Sequence, residues 1–142
     1  MADQLKPAQN NEPEVVGNRQ GFQPAPVVLV VEDDPAVRQF LETALRRFGF
    51  DIRSAVNGAE ALEIYQRGGI GVVLMDVQMP LLDGPKTLAR LKEIDPNVVC
   101  CLMSAHFGEY DFVEIMNLGA IGLLQKPFNL EQLRQIVMGA IK

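Results

Sequence analysis

The chain has 142 residues, 48% of them apolar, and a formal charge of −5 at pH 7. This suits one globular domain with a sizeable core, and the acidic balance argues against direct nucleic-acid binding, which leaves a basic footprint. No apolar run approaches the roughly 18 residues of a membrane span, and the start, MADQLKPAQNNEPEVVGNRQG, lacks the basic-then-apolar pattern of a secretion signal.

Residues 1–26 hold four of the nine prolines, several Asn and Gln, and few large apolar side chains. They read as a flexible tail ahead of a folded region at 27–142. Val27–Val31 is a β-branched apolar run, suited to a buried strand. Asp34-Pro35 then looks like an N-cap with proline at the first helical position. Val37, Phe40, Leu41, Ala44, Leu45 and Phe48 follow at helical spacing, and Gly49 ends the run. Phe50–Ala55 is a weaker strand, and Gly58–Gln66 a short helix stopped by Gly68-Gly69. Gly71–Met75 is the second clear buried strand. Pro85–Ile94 forms a helix closed by Asp95-Pro96. Val98–Met103 is the next strand, followed by a helix at about 109–118 that ends at Gly119. Ala120–Leu124 is the last and weakest strand. Asn129 caps a final helix with Leu130, Leu133, Val137, Ala140 and Ile141 facing inward. Five strand–helix units in alternation predict a parallel sheet with helices on both faces, joined by right-handed crossovers.

Ligands of such sheets sit beyond the carboxyl ends of the strands. There the first strand ends in Glu32, Asp33 and Asp34, the third in Asp76, the fourth in Ser104 and the fifth in Lys126-Pro127. Carboxylates gathered at the end of an apolar segment repel one another and resist desolvation, so they call for a counter-charge. Several carboxylates, one hydroxyl and one ammonium suit a hard cation together with a phosphoryl group. Mg²⁺ takes a few carboxylates and keeps its other positions for water and phosphate oxygen, lysine supplies a point charge, and serine a neutral donor. Asp34 is expected to cap the first helix rather than bind metal, and Asp83-Gly84 to serve a turn.

Four stretches carry a resemblance: VLVVEDDP at 28–35, LMDVQMPLLDG at 74–84, LMSAH at 102–106 and GLLQKPF at 122–128. In order and spacing the chain resembles the receiver domain of two-component response regulators across about 27–142. The resemblance implies a flavodoxin-like (βα)5 three-layer sandwich with a parallel five-stranded sheet in the order 2-1-3-4-5. It implies that Asp76 is the phosphoacceptor. Asp33 and Asp76 would ligate Mg²⁺, with Mn²⁺ able to substitute, alongside the backbone carbonyl of Gln78 and Glu32 through water. Ser104 and Lys126 match the switch hydroxyl and the phosphate-binding lysine, and Pro127 a proline that follows a cis peptide bond. Gln78 and His106 are the candidates for tuning hydrolysis. The implied function is a cytoplasmic phosphorylation-dependent switch, not a turnover enzyme. A histidine kinase or phosphotransfer protein would load it, and it would signal to an unidentified downstream protein through the surface formed by 109–142. With Met1 at the start and Lys142 just after the fifth helix, a stand-alone receiver without an output domain is expected. Many relatives carry an aromatic residue three positions before the lysine; Leu123 stands there, which implies a switch biased by Ser104 without an aromatic gate.

Three rivals fit less well. Ser104 and His106 lie two apart beside many carboxylates, but no G-x-S-x-G elbow is present. A phosphatase of the haloacid-dehalogenase type wants a second aspartate two residues after the nucleophile, where Gln78 stands. An interaction module that keeps the fold without being phosphorylated would not need this full residue set. Cys100 and Cys101 are adjacent, so on a strand they point to opposite faces, poorly placed for a structural disulfide or a metal; they read as small core residues in a reducing compartment.

Overall fold

The computed structural model describes residues 26–105 and 110–141. Apart from Pro26, the tail expected over 1–26 lies outside the described residues, as do His106 and the start of the fourth helix at 109. Five strands, β1 (Val27–Val31), β2 (Asp51–Ala55), β3 (Val72–Asp76), β4 (Cys100–Ser104) and β5 (Gly122–Gln125), alternate with five helices, α1 (Pro35–Arg47), α2 (Gly58–Gln66), α3 (Gly84–Ile94), α4 (Phe112–Asn117) and α5 (Leu130–Ile141). All neighbouring strands are parallel, in the order β2-β1-β3-β4-β5. This is the expected 2-1-3-4-5 arrangement.

Side chains alternate across each strand, and the sheet therefore feeds two cores. Leu29, Val31, Val73, Met75, Cys100 and Leu102 face one way, toward Ala61 of α2, Leu88 and Leu91 of α3 and Ile115 of α4. Val28, Val30, Leu74, Cys101 and Met103 face the other, toward Leu41 and Leu45 of α1 and Leu133 and Val137 of α5. The result is three layers. Cys100 and Cys101 are buried free thiols in opposite cores, and burial pushes both thiols up, Cys101 to about 12.

The helix starts follow their caps. Asp34 accepts from the Ala36 and Val37 N–H groups at 2.9 and 3.3 Å. Asn129 and Gln132 bond reciprocally side chain to backbone at the start of α5, and Asp111 and Glu114 do the same at α4. Gly49 and Gly119, just past α1 and α4, take φ of +99° and +98°, a conformation that favours glycine.

Some expected boundaries and facings shift. β3 runs one residue further than read and includes Asp76. β4 starts at Cys100 rather than Val98, because the Val98 N–H closes a turn on the Asp95 carbonyl at 3.0 Å. β5 starts at Gly122 rather than Ala120. α4 starts at Phe112, where Asp111 caps it. Leu130 is exposed rather than inward: it opens the first turn of α5, ahead of the stripe that Leu133 and Val137 continue. Phe40 is 44% exposed and leans on the ring of Phe128, with centroids 6.5 Å apart.

Candidate functional site

The parallel register sends β1, β3, β4 and β5 to a common edge and brings their last residues together. Glu32 continues β1, its N–H held by the Ala55 carbonyl at 3.1 Å. Asp76 closes β3, a strand buried along its whole length. Asp76 pairs with Met103 of β4, so Ser104 lies one residue beyond it. The Lys126 N–H donates to the Ser104 carbonyl at 2.8 Å, which ties the end of β5 to the same rim. The Lys126–Pro127 peptide bond is cis, as the resemblance implies.

Lys126 spans the two buried acids. Its Nζ lies 3.0 Å from Glu32 Oε1 and 3.4 Å from Asp76 Oδ2. Glu32 is 1% exposed and Asp76 7%, so neither charge has water enough to stand alone. Glu32 also accepts from the Asp34 N–H through Oε2 at 3.2 Å. Asp33, between them in sequence, is exposed. One carboxylate oxygen from each of Glu32, Asp33 and Asp76 lies within 4.8 Å of the other two.

The electrostatics show one cation too few. Burial, and then the charge of Asp76, raise the Glu32 pKa despite its bond to Lys126. Burial also raises Asp76, against the opposing pull of Lys126 and the Gln78 backbone. Burial would depress the Lys126 ammonium, but its bond to Glu32 and the charges of both acids outweigh this, and its pKa rises. Two buried carboxylates share the Lys126 ammonium, with the exposed Asp33 carboxylate beside them, and the remaining negative charge is held by hard oxygen donors. That donor set fits a hard divalent cation with open positions for water and phosphate oxygen.

The loop after Asp76 packs closely on the end of β3. Gly84 packs so tightly that a Cβ there would collide with the Asp76 carbonyl oxygen, and its N–H bonds the Val77 carbonyl at 2.8 Å. Asp83 caps α3 through the Lys86 N–H and accepts from the Tyr110 hydroxyl at 3.1 Å, so it starts a helix where a turn was expected. Gln78 is exposed two residues beyond Asp76. Leu123 is half-buried and packs against the core on the α2–α4 side. An apolar hollow lined by Val37, Phe40, Ala105, Lys126, Pro127 and Phe128 borders the rim.

The structure thus gathers Glu32, Asp33, Asp76, Ser104 and Lys126 at one edge, while His106 falls outside the described residues. The sequence reading passed over Arg38, whose Nη1 donates to the Glu32 carbonyl at 2.8 Å. A signal was available: a cation in the opening turns of a helix opposes the helix dipole and calls for another partner.

A family model described as response regulator receiver domain matches residues 28–138. The chain is 39% identical over 109 residues to the transcriptional regulatory protein PrrA of Mycobacterium tuberculosis, a match covering 77% of this chain and 47% of that protein. It is 34% identical over 111 residues to sporulation initiation phosphotransferase F of Bacillus subtilis, covering 78% of this chain and 89% of that one. It therefore spans about half the length of PrrA and most of the phosphotransferase. Among solved structures, chemotaxis protein CheY4 of Vibrio cholerae superposes with a TM-score of 0.77 at 26% identity, over 82% of this chain and 98% of that one. The response regulator TrrA of Thermotoga maritima, solved in complex with Mg²⁺-BeF, gives 0.74 at 26%, over 81% and 98%.

Proposed function

Because the chain belongs to the response regulator receiver domain family, we propose that it is a phosphorylation-dependent signalling switch whose phosphoacceptor is Asp76. The observation that carries this reading is the buried Asp76 carboxylate at the end of β3, with Lys126 Nζ 3.4 Å away and Glu32 and Asp33 beside it.

The chemistry follows from that placement. An Asp76 carboxylate oxygen attacks the phosphorus of a phosphohistidine on a histidine kinase or phosphotransfer protein. The O–P bond forms as the N–P bond breaks, and the imidazole nitrogen leaves with the bonding pair and takes a proton from water. Lys126 is placed to hold a phosphoryl oxygen, which would draw it from Glu32. Asp33, Asp76 and the Gln78 carbonyl would hold Mg²⁺, or Mn²⁺ in its place, with Glu32 acting through water. Bound there, the metal supplies charge neutralisation for the phosphoryl oxygens. The phosphoryl group stays on Asp76 after the transfer, so the chain acts as a phosphoacceptor rather than as a turnover enzyme.

The switch runs through Ser104. Its hydroxyl is buried one residue past the position opposite Asp76, and new acceptor oxygens on Asp76 would draw it inward. That pull acts on the chain leading to α4 and so on the α4–β5–α5 face, where Phe112, Val113 and Ile121 are exposed. We assign this 109–142 surface to the downstream partner. From the family we assign the chain a cytoplasmic site of action; no helix among the described residues is long and apolar enough to cross a membrane.

Beryllofluoride with Mg²⁺ tests the switch. It should shift the amides of Asp76, Ser104 and Lys126 and those along 110–125. Ser104→Ala should weaken the distant shifts, while Leu123→Ala lowers stability more than it alters them. Shifts confined to the rim, or a distant response lost only in Leu123→Ala, would contradict this mechanism.

A further inference from the structure

Resting on the metal reading above, we infer that Arg38 is a positioning residue for the metal ligand Asp33. Asp33 sits between two peptide groups, and each is tied down. The peptide entering Asp33 carries the Glu32 carbonyl, which accepts from Arg38 Nη1 at 2.8 Å. The peptide leaving Asp33 carries the Asp34 N–H, which donates to Glu32 Oε2 at 3.2 Å. Glu32 is anchored in turn by the Ala55 carbonyl at its N–H and by Lys126 at its carboxylate. An exposed aspartate on a free loop would sample many directions. Here the peptide planes on both sides are fixed, so the direction in which the Asp33 side chain leaves the backbone is set, and only its side-chain torsions remain to be ordered on binding.

The position of Arg38 supports the assignment. It is the fourth residue of α1, whose first turn begins at Pro35, where the helix dipole disfavours a cation. The residue is half-buried, and its guanidinium reaches back to the end of β1. The rim is overloaded with negative charge, and a cation placed there merely to relieve it would compete with a metal. A donor that orients Asp33 would assist one. The two roles predict opposite signs when Arg38 is neutralised.

Mg²⁺ titration by calorimetry, at a temperature where every variant is folded, separates them. The proteins are the wild type, Asp33→Ala, Arg38→Met and Arg38→Lys. Arg38→Met keeps the apolar stem and removes the donor; it should weaken Mg²⁺ binding about tenfold, the lower end for loss of an outer-shell partner. Arg38→Lys, whose ammonium can still donate to the carbonyl, should recover most of the loss. Unchanged or tighter binding in Arg38→Met would overturn the inference, as would Arg38→Lys binding as weakly as Arg38→Met. A lower melting temperature with an unchanged dissociation constant would reduce Arg38 to fold support and also overturn it. If Arg38→Met aggregates, Arg38→Gln, too short to span the gap, replaces it under the same outcomes. Wild type that binds no Mg²⁺, or binds it as Asp33→Ala does, would overturn the metal reading and this inference with it.

Discussion

β2 and β3 flank β1 on either side and are both parallel to it, yet they treat charge in opposite ways. β2 is the sheet edge, and its residues alternate between exposed and covered, with Asp51 and Arg53 open to water. Those charges need no partner, because solvent supplies one. β3 is interior and buried at every position, including its terminal carboxylate. Asp76 must therefore find its counter-charges within the protein, and Lys126 with the neighbouring acids is the outcome. A carboxylate is ordinary on the edge strand. On the inner strand it is the centre of a site, because burial makes a missing cation costly.

The largest expected effect is in packing. Leu74→Ala, in the core between the sheet and the α1–α5 layer, should cost about 2–5 kcal/mol, whereas Ile52→Ala on the half-covered edge should cost less than about 2. Urea unfolding of both variants checks this, and equal losses would break the contrast between the strands.

Next comes the lysine. Lys126→Met leaves Glu32 and Asp76 buried without their ammonium and should cost about 2–3 kcal/mol at neutral pH. That is below the range for a fully buried pair, because the Lys126 side chain keeps some exposure. Arg53→Met on the edge should stay within about 0.5 kcal/mol. Adding Asp76→Asn to Lys126→Met should recover part of the loss; a double variant no more stable than Lys126→Met would show that the repulsion is relieved elsewhere.

A smaller effect is in pH. The Asp76 carboxyl is raised by burial above its ordinary value of 3.8. The folded state therefore holds that proton more tightly than the unfolded chain. The associated stability is fully present below about 3.8 and is lost as pH rises through the raised folded value. The difference in stability between Asp76→Asn and the wild type should grow over that interval and then level off. Glu32 is raised in the same direction, in part by the charge of Asp76, so its titration also moves in Asp76→Asn and the difference reports the two carboxyls together. A difference independent of pH would contradict the assignment.

The smallest concerns the loop after β3. Leu81 is 92% exposed and has φ of 72°. Leu81→Gly removes a left-handed strain of about 1–2 kcal/mol against an unfolded-state entropy cost of about 0.4–1. The net gain should be about 0.5–1 kcal/mol by urea unfolding, and a loss would mean that the side chain makes stabilising contacts.

Much of this was legible in the chain, for physical reasons. Runs such as VVLVV and VVLM can only be buried, and their carboxyl ends set where Glu32 and Asp76 lie. Asp34-Pro35 announced α1 through capping chemistry that acts over three residues. What escaped was tertiary. Nothing local says that Phe40 leans on Phe128 or that Tyr110 reaches Asp83, because those pairs are separated by 88 and 27 residues. The β4 boundary slipped because Val98 has strand propensity but spends its N–H on a turn. The place of Arg38 against the helix dipole says that it needs a partner, but that partner is a backbone carbonyl, which no side-chain pattern identifies.

The central claim is that Asp76 accepts a phosphoryl group. Incubation with acetyl phosphate and Mg²⁺, followed by intact-mass analysis, tests it directly. The wild type should gain one phosphoryl adduct that is lost on mild alkaline treatment, and Asp76→Asn should gain none. No adduct on the wild type from this donor or from a phosphorylated histidine kinase, or an adduct that persists in Asp76→Asn, would contradict the account.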